Sequence, residues 1–237
     1  KEAASTISQL LVRPSEPVNG RSQAAVLISD ILQELLAVGI SDPSVEIRRS
    51  IFGSIHRKYD VYLSQVNLLR SIFIGLNDED YAVKMKTIQV IRRVVRTNPA
   101  FVLPALRKIL KQHLTELKYG SSHKDQHNSL LLLGHLISAS TTLVRPYVGD
   151  ILKALTPKIG AADAQISASA LSTLRQLTAV GQDVVAQHGH ELIPIMVQQL
   201  QDQSSLPKLR VALGALGDVI QCAASVFSDP SYPQLLR

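Results

Sequence analysis

The sequence predicts an all-α fold, a right-handed α-solenoid of about five stacked helix pairs, and three observations carry that prediction. Hydrophobic residues make up 46% of the 237, yet aromatics are only 4% and Trp is absent, so the core must be aliphatic, which suits helices packed on helices. Prolines recur in register: Ile109-Leu110-Lys111 follows Pro104 at the offsets at which Ile151-Leu152-Lys153 follows Pro146, Gln199-Leu200-Gln201 follows Pro194 more weakly, and Pro233 opens a further copy. Between these lie "GSIHRK", "VIRRVV", "LGHLIS", "LRQLTA" and "LGDVIQ", aligned on Ser54, Arg92, Gly134, Arg175 and Gly217 with gaps of 38, 42, 41 and 42 residues. Two helical patterns therefore alternate.

A period near 40 is that of HEAT or armadillo repeats, longer than the roughly 33–34 residues of ankyrin and tetratricopeptide arrays. The recurring proline fits it. The first four N–H groups of a helix have no intrahelical acceptor, so a proline there forfeits little and fixes a helical φ. Each proline is expected at the start of the first helix of a pair, or at a kink near it.

In chain order, a leading helix at 2–12 and a Pro/Gly-rich loop at 13–20 precede the repeats, which occupy 21–237. The pairs are expected near 21–58, 61–97, 100–140, 144–180 and 184–227, with internal turns after 38, 76, 119, 160 and 201. "SDPS" (41–44) and "NDED" (77–80) put acids at helix starts, where the helix dipole favours them. Asp42…Val45…Arg48 and Asp80…Val83-Lys84 repeat an Asp-x-x-Val-x-basic pattern. In 103–119, Leu103, Leu106, Ile109, Leu110, Leu114 and Leu117 form one buried stripe opposite Arg107, Lys111 and Lys118. "SLLLLGHLIS" (129–138) is apolar nearly all round and should be sandwiched between repeats. The chain opens on Lys1 and closes on "YPQLLR", the first turn of another helix, and is expected to be a piece of a longer protein.

Several function classes find no support. One cysteine, Cys222, excludes an internal disulfide framework, and its apolar helix makes it a small core residue. No secretory leader pattern and no glycosylation sequon is present, and no apolar run is expected to reach the ~20 residues that span a bilayer. His123 and His127 have i, i+4 ligand spacing but lie at a polar turn with no third ligand beyond Asp125. His188 and His190 fall on different sides of a helix, so no metal site is expected. No nucleophile elbow, Walker loop, kinase catalytic loop or GxGxxG occurs, so no catalytic residue and no cofactor site is expected in this segment.

Charge is the positive feature. Residues 1–120 hold 17 Lys/Arg against 11 Asp/Glu, and 121–237 hold eight of each. Arg48, Arg49, Arg57 and Lys58 are expected on one helix, Lys84, Lys86, Arg92, Arg93 and Arg96 on the second helix of the next pair, and Arg107 and Lys111 on the helix after it. Equivalent helices of consecutive repeats lie side by side, so these charges could merge into a partner-binding basic strip suited to an acidic protein segment. With few aromatics to stack bases, direct nucleic-acid binding is not expected.

"LAVGISDPSVEIRRSIF" (36–52), "LNDEDYAVKMKTIQVIRRV" (76–94), "NPAFVLPALRKILKQHLTELKYG" (98–120), "LLGHLISASTTLVRPYVGDILKAL" (132–155) and "LPKLRVALGALGDVI" (206–220) together resemble, in order, the N-terminal HEAT region of the target of rapamycin (TOR) kinases, of the phosphatidylinositol-3-kinase-related family. Residues 1–20 and 156–192 depart from that pattern. The resemblance implies a non-catalytic scaffold segment of a large serine/threonine protein kinase that controls cell growth in response to nutrients. The kinase domain, with its ATP and Mg, would lie outside this chain. It further implies contact with a Raptor-type regulatory subunit and a second TOR protomer, a cytoplasmic location, and lysosomal or vacuolar membrane association through partners. The alternative from the residues alone is a HEAT scaffold of another class, a transport receptor or phosphatase scaffold. The basic charge argues against the acidic transport receptors.

Overall fold

A computed structural model describes residues 23–120, 122–201 and 206–227, and all regular structure among them is helical. The helices are α1 (Gln23–Ser41), α2 (Val45–Ser54), α3 (Asp60–Leu63), α4 (Val66–Gly75), α5 (Tyr81–Val94), α6 (Pro99–Tyr119), α7 (His123–Ala139), α8 (Thr141–Val144), α9 (Val148–Ile159), α10 (Ala164–Thr178), α11 (Gln182–Gln187), α12 (Gly189–Gln201) and α13 (Leu206–Phe227). Single 3-10 turns at Arg57–Tyr59 and Arg145–Tyr147 precede α3 and α9. The expected leading helix, its loop and the final "YPQLLR" lie outside the described residues.

The helices begin where side chains satisfy the free N–H groups. Asp80 accepts from the Val83 N–H at the start of α5, and Asp163 from the Gln165 and Ile166 N–H groups at the start of α10. Asp42 accepts from the Ser44 N–H, and Asp78 from the Asp80 N–H, so the two turns are built alike.

Three of the prolines sit deeper than the first turn, while Pro146 stands at the start of its turn. Pro104 and Pro194 are each the sixth residue of their helices, Pro157 lies inside α9, and Pro146 occupies the 3-10 turn. All four are exposed, while the residues two before and two after Pro104, Pro146 and Pro194 are buried: Val102 and Leu106, Val144 and Val148, Leu192 and Met196. The proline thus stands on the solvent side of the helix, where the carbonyl four residues back loses its donor to water rather than to a dry core. That is a reason for its register.

Several first helices are broken rather than continuous. Gln65 is extended between α3 and α4, the Arg145–Tyr147 turn separates α8 from α9, and His188 closes α11 before Gly189 opens α12. The second helix of the first pair also stops early, at Ser54. Ile55 turns extended, and His56 accepts the Lys58 N–H to start the 3-10 turn. Arg57 and Lys58 therefore do not share a helix with Arg48 and Arg49.

The chain divides into two compact units at Leu106–Arg107, inside α6. In the first unit α1 packs on α2 and α4, α2 on α5, and α4 on α5, so first helices stack in one layer and second helices in another. Leu36, Phe52, Leu63, Leu69, Ile72, Val83 and Val94 fill the space between. In the second unit α7, α10 and α13 form the second-helix layer, with α9, α11 and α12 against it. Leu130, Leu133, Ile137, Leu155, Leu171, Leu174 and Leu177 are among the fully buried residues there. In α7, Leu130, Leu132, Leu133, Leu136 and Ile137 are all buried, as the all-round apolar pattern requires.

α1 corrects one expectation. At 19 residues it is long and apolar enough to cross a bilayer by length and composition. It carries Asp30 and Glu34, buries Leu32 and Leu36, and packs on α2, α3 and α4, the contacts of a repeat helix.

Gly75 ends α4 where it meets α2 and α5; a Cβ there would come within 2.7 Å of Phe52 Cζ and 2.8 Å of Thr87 Oγ1. Gly75→Ala is expected to cost about 1–3 kcal/mol in chemical denaturation, because Phe52 is held in the core and cannot give way cheaply.

Candidate partner-binding surface

The basic residues divide into those consumed by the fold and those left outside it. Arg48 is consumed. Its Nε and Nη2 donate to the two Asp78 carboxylate oxygens at 2.8 and 3.0 Å, and its Nη1 donates to the Asp42 carbonyl at 2.8 Å. Both side chains are nearly buried, at 10% and 5% exposure. Arg49 makes the same fork one residue on, to Asp80 at 2.8 and 2.6 Å, in a more open place. Arg93 straddles Asp60 with Nε 3.1 Å from each oxygen, and Nη2 donates to the Ile55 carbonyl at 3.0 Å. Each tie joins residues 30–38 apart, about one repeat. The arginines fasten neighbouring repeats, the use for which a planar fork is better than an ammonium.

These pairs set the local charge states. The Asp78 carboxylate holds the Arg48 guanidinium above its ordinary pKa, and Asp80 does the same for Arg49. Asp80 is itself pulled down to about 2 by the Arg49 fork, helped by the Val83 N–H against the opposing effect of burial.

Of the residues expected in the strip, those exposed in the first unit outside these pairs are Arg57, Lys58, Lys86, Arg92 and Arg96, with Lys84 half-buried; Arg70 on α4 is exposed as well. The Lys86 stem runs over Gly53, with Cε 3.9 Å from where a Cβ there would stand. Arg57, Arg92, Arg93 and Arg96, with Gln89 and Asp60, line one open concavity of about 560 Å³. Arg57 comes from the 3-10 turn, Gln89, Arg92 and Arg93 from α5, and Arg96 from the turn just past it. Of the four arginines only Arg93 has an acidic partner among the described residues. Arg107 and Lys111 are exposed on the second unit's part of α6.

The sequence reading named the arginines and missed their acids. Asp60, Asp78 and Asp80 follow or precede their partners by 30–33 residues, and that spacing is the signal that could have found them. Arg48, Arg49 and Arg93, expected within the strip, are held in these pairs.

Elsewhere the polar residues serve the same fastening role. His123 Nδ1 lies 3.2 Å from Asp163, 40 residues on, and His127 Nδ1 lies 2.9 Å from the Ser169 hydroxyl, 42 residues on. The Thr173 hydroxyl donates to the Leu130 carbonyl, and the Ser138 hydroxyl to Gln176. Arg175 donates to Asp218 at 2.7 Å, 43 residues on. His188 and His190 contact backbone carbonyls of their own turn. Among the described residues no three His, Cys, Asp or Glu side chains stand together as metal ligands. Cys222 is buried, and burial pushes its thiol up, away from the reactive thiolate.

Because Asp80 is depressed in the folded chain, the stability it adds is present above its ordinary value near 3.8 and is lost as pH falls through about 2. Asp80→Asn is therefore expected to lower the denaturation midpoint at neutral pH, with the gap to the parent closing towards pH 2. Asp78→Ala should lower it further than Asp80→Ala, since it leaves the more buried Arg48 without its counter-charge.

No family model matches the chain. Among curated proteins it is 34% identical over 237 residues to the serine/threonine-protein kinase TOR2 of Saccharomyces cerevisiae, covering 100% of this chain and 10% of that one. It is 37% identical over 214 residues to the serine/threonine-protein kinase TOR of Oryza sativa subsp. japonica, covering 87% and 9%. To the serine/threonine-protein kinase mTor of Drosophila melanogaster it is 31% identical over 243 residues, covering 99% and 10%. Among solved structures, an engineered protein superimposes with a TM-score of 0.51 at 13% identity, over 93% of this chain and 90% of the other. A chain in the structure of Kap95p with RanGDP does so with a TM-score of 0.55 at 18% identity, over 98% and 32%. These structural likenesses concern the fold, an all-helical repeat stack of HEAT and armadillo type. The sequence likeness runs along the whole chain and about a tenth of each relative. The chain is a helical-repeat segment homologous to about a tenth of the target-of-rapamycin serine/threonine-protein kinases.

Proposed function

We propose that this segment is a non-catalytic scaffold in a TOR-type serine/threonine protein kinase that controls cell growth in response to nutrients, and that it serves complex assembly and partner docking. The observation that carries the reading is the co-occurrence of two things. Sequence likeness to TOR kinases extends over the whole chain, and the described residues form a stack whose polar side chains are spent on joining repeats. Phosphoryl transfer from ATP needs a glycine-rich loop over the phosphates and a strand-borne lysine. This segment spans about a tenth of each TOR relative it matches, which supports placing those elements, and the kinase domain with its ATP and Mg, in another part of the protein.

The partners proposed are a Raptor-type regulatory subunit and a second TOR protomer, met in the cytoplasm, with lysosomal or vacuolar membranes reached through partners. The surface offered is the first unit's exposed basic face, Arg57, Lys58, Lys86, Arg92 and Arg96. The 18% likeness to the Kap95p-containing structure gives the transport-receptor alternative no support beyond fold.

The test is co-purification of this segment with a purified Raptor-type subunit at low and high salt, beside the variant Arg57→Glu/Arg92→Glu/Arg96→Glu. Arg93 is left intact because its charge reversal would break the Asp60 pair and confuse folding with docking. Binding by the parent chain, weakened about tenfold or more in the variant with unchanged helical circular dichroism, is the expected result. Equal capture of both forms would move the docking face to other helices.

A further inference from the structure

The concavity shared by Arg57, Gln89, Arg92, Arg93 and Arg96 has a composition that neither folding nor a general basic face explains. Four guanidiniums, one from the 3-10 turn and three from α5 and the turn just past it, meet one carboxylate, and that carboxylate is already spent. Asp60 receives both of its contacts from Arg93 Nε, while Arg93 Nη2 is tied to the Ile55 carbonyl. Arg93 is thereby fixed as a wall. Arg92 and Arg96 stand one helical turn apart on either side of it in sequence, and Arg57 faces them from the 3-10 turn.

Arg57, Arg92 and Arg96 have no acidic partner of their own among the described residues and repel one another, so an anion placed among them gains from all three at once. The groups are arginines throughout, whose forked donors pair with phosphate as with carboxylate, and a phosphate brings three acceptor oxygens and nearly two charges to several guanidiniums where a carboxylate brings two oxygens and one charge. Gln89 adds a neutral amide donor to the same wall. The hollow is open rather than enclosed, and Val61, beside Asp60 in sequence, is 69% exposed. An open trough suits an extended polypeptide better than a small molecule that needs enclosure.

We infer that this trough is a binding site for a phosphorylated serine or threonine in an extended segment of a partner protein, with Arg57, Arg92 and Arg96 gripping the phosphate and Arg93 holding the wall in place. The inference deepens the docking reading by naming the chemistry recognised, and it rests on the trough itself, so it can stand or fall apart from any Raptor-type contact.

The experiment uses the purified chain and a fluorescein-labelled nonapeptide of Ala, Gly and Val with one central phosphoserine, read by fluorescence anisotropy at about 50 mM salt. Controls are its unphosphorylated twin and inorganic pyrophosphate as competitor. The phosphopeptide is expected to bind at least about tenfold tighter than its twin, to be displaced by pyrophosphate, and to weaken about tenfold in Arg92→Gln/Arg96→Gln. Arg210→Gln, an exposed arginine on α13, is expected to bind as the parent does. Thermal melts confirm that the variants fold. Equal binding of the two peptides, or an unchanged affinity in Arg92→Gln/Arg96→Gln, overturns the site. Binding of pyrophosphate with none of the phosphopeptide overturns the polypeptide as its ligand. Failure of the Raptor-type co-purification with success here would reject that partner and keep the trough.

Discussion

No helix pair in this chain can cover its own apolar surface, and the rest of the structure follows from that. α7 buries Leu130, Leu132, Leu133, Leu136 and Ile137, more directions than one partner helix can reach. α10 buries Ile166, Ala170, Leu171, Leu174 and Leu177 and meets α7, α9 and α13. Burial is obtained only when the next repeat arrives, so stability is shared between neighbours rather than held within each pair. Stacking, however, is non-directional. Apolar layers alone would slide, and the polar ties one repeat apart set the register: Arg48 to Asp78, Arg93 to Asp60, Thr173 to the Leu130 carbonyl. Among the described residues no buried side-chain nitrogen or oxygen lacks a partner, so this register is reached without an unpaid desolvation cost.

Much of this was legible in the sequence, for a physical reason. Helical periodicity is local, so the stripe of Leu103, Leu106, Ile109, Leu110, Leu114 and Leu117 could be read from spacing alone; Leu106, Leu110, Leu114 and Leu117 are buried, and Leu103 and Ile109 are half-buried. The repeat period is also a property of the string, and aligning prolines or Gly134 with Arg175 exposes it without coordinates. What escaped was whatever depends on φ and ψ at one residue or on contacts between repeats. The extended Ile55 and Gln65 carry no signal stronger than their neighbours, so the breaks at 55 and 65 were smoothed into longer helices.

The candidate surface was half legible. A count of basic residues marked the stretch in which Arg57, Arg92 and Arg96 lie exposed. It could not separate spent from unspent charge, because the acid that neutralises each arginine lies a repeat away in the chain. Arg92 and Arg93 are adjacent in sequence and opposite in role. One lines the trough without an acidic partner among the described residues, and the other closes an ion pair. Only the fold distinguishes them.

The exposed prolines carry a requirement for whatever touches the first-helix layer. In the second unit Pro157 and Pro194 cannot donate to the carbonyls of Lys153 and His190, both exposed residues. In water those oxygens are hydrated at no cost. A surface that covers them and brings only methyl groups would strand two strong acceptors, at about 1–3 kcal/mol each. A surface presenting Asn, Ser, Lys or Arg at those points would be rewarded instead. The prolines that mark the repeat therefore also write an acceptor pattern on this unit's first-helix layer, and a tight, dry contact there is open only to partners able to answer it.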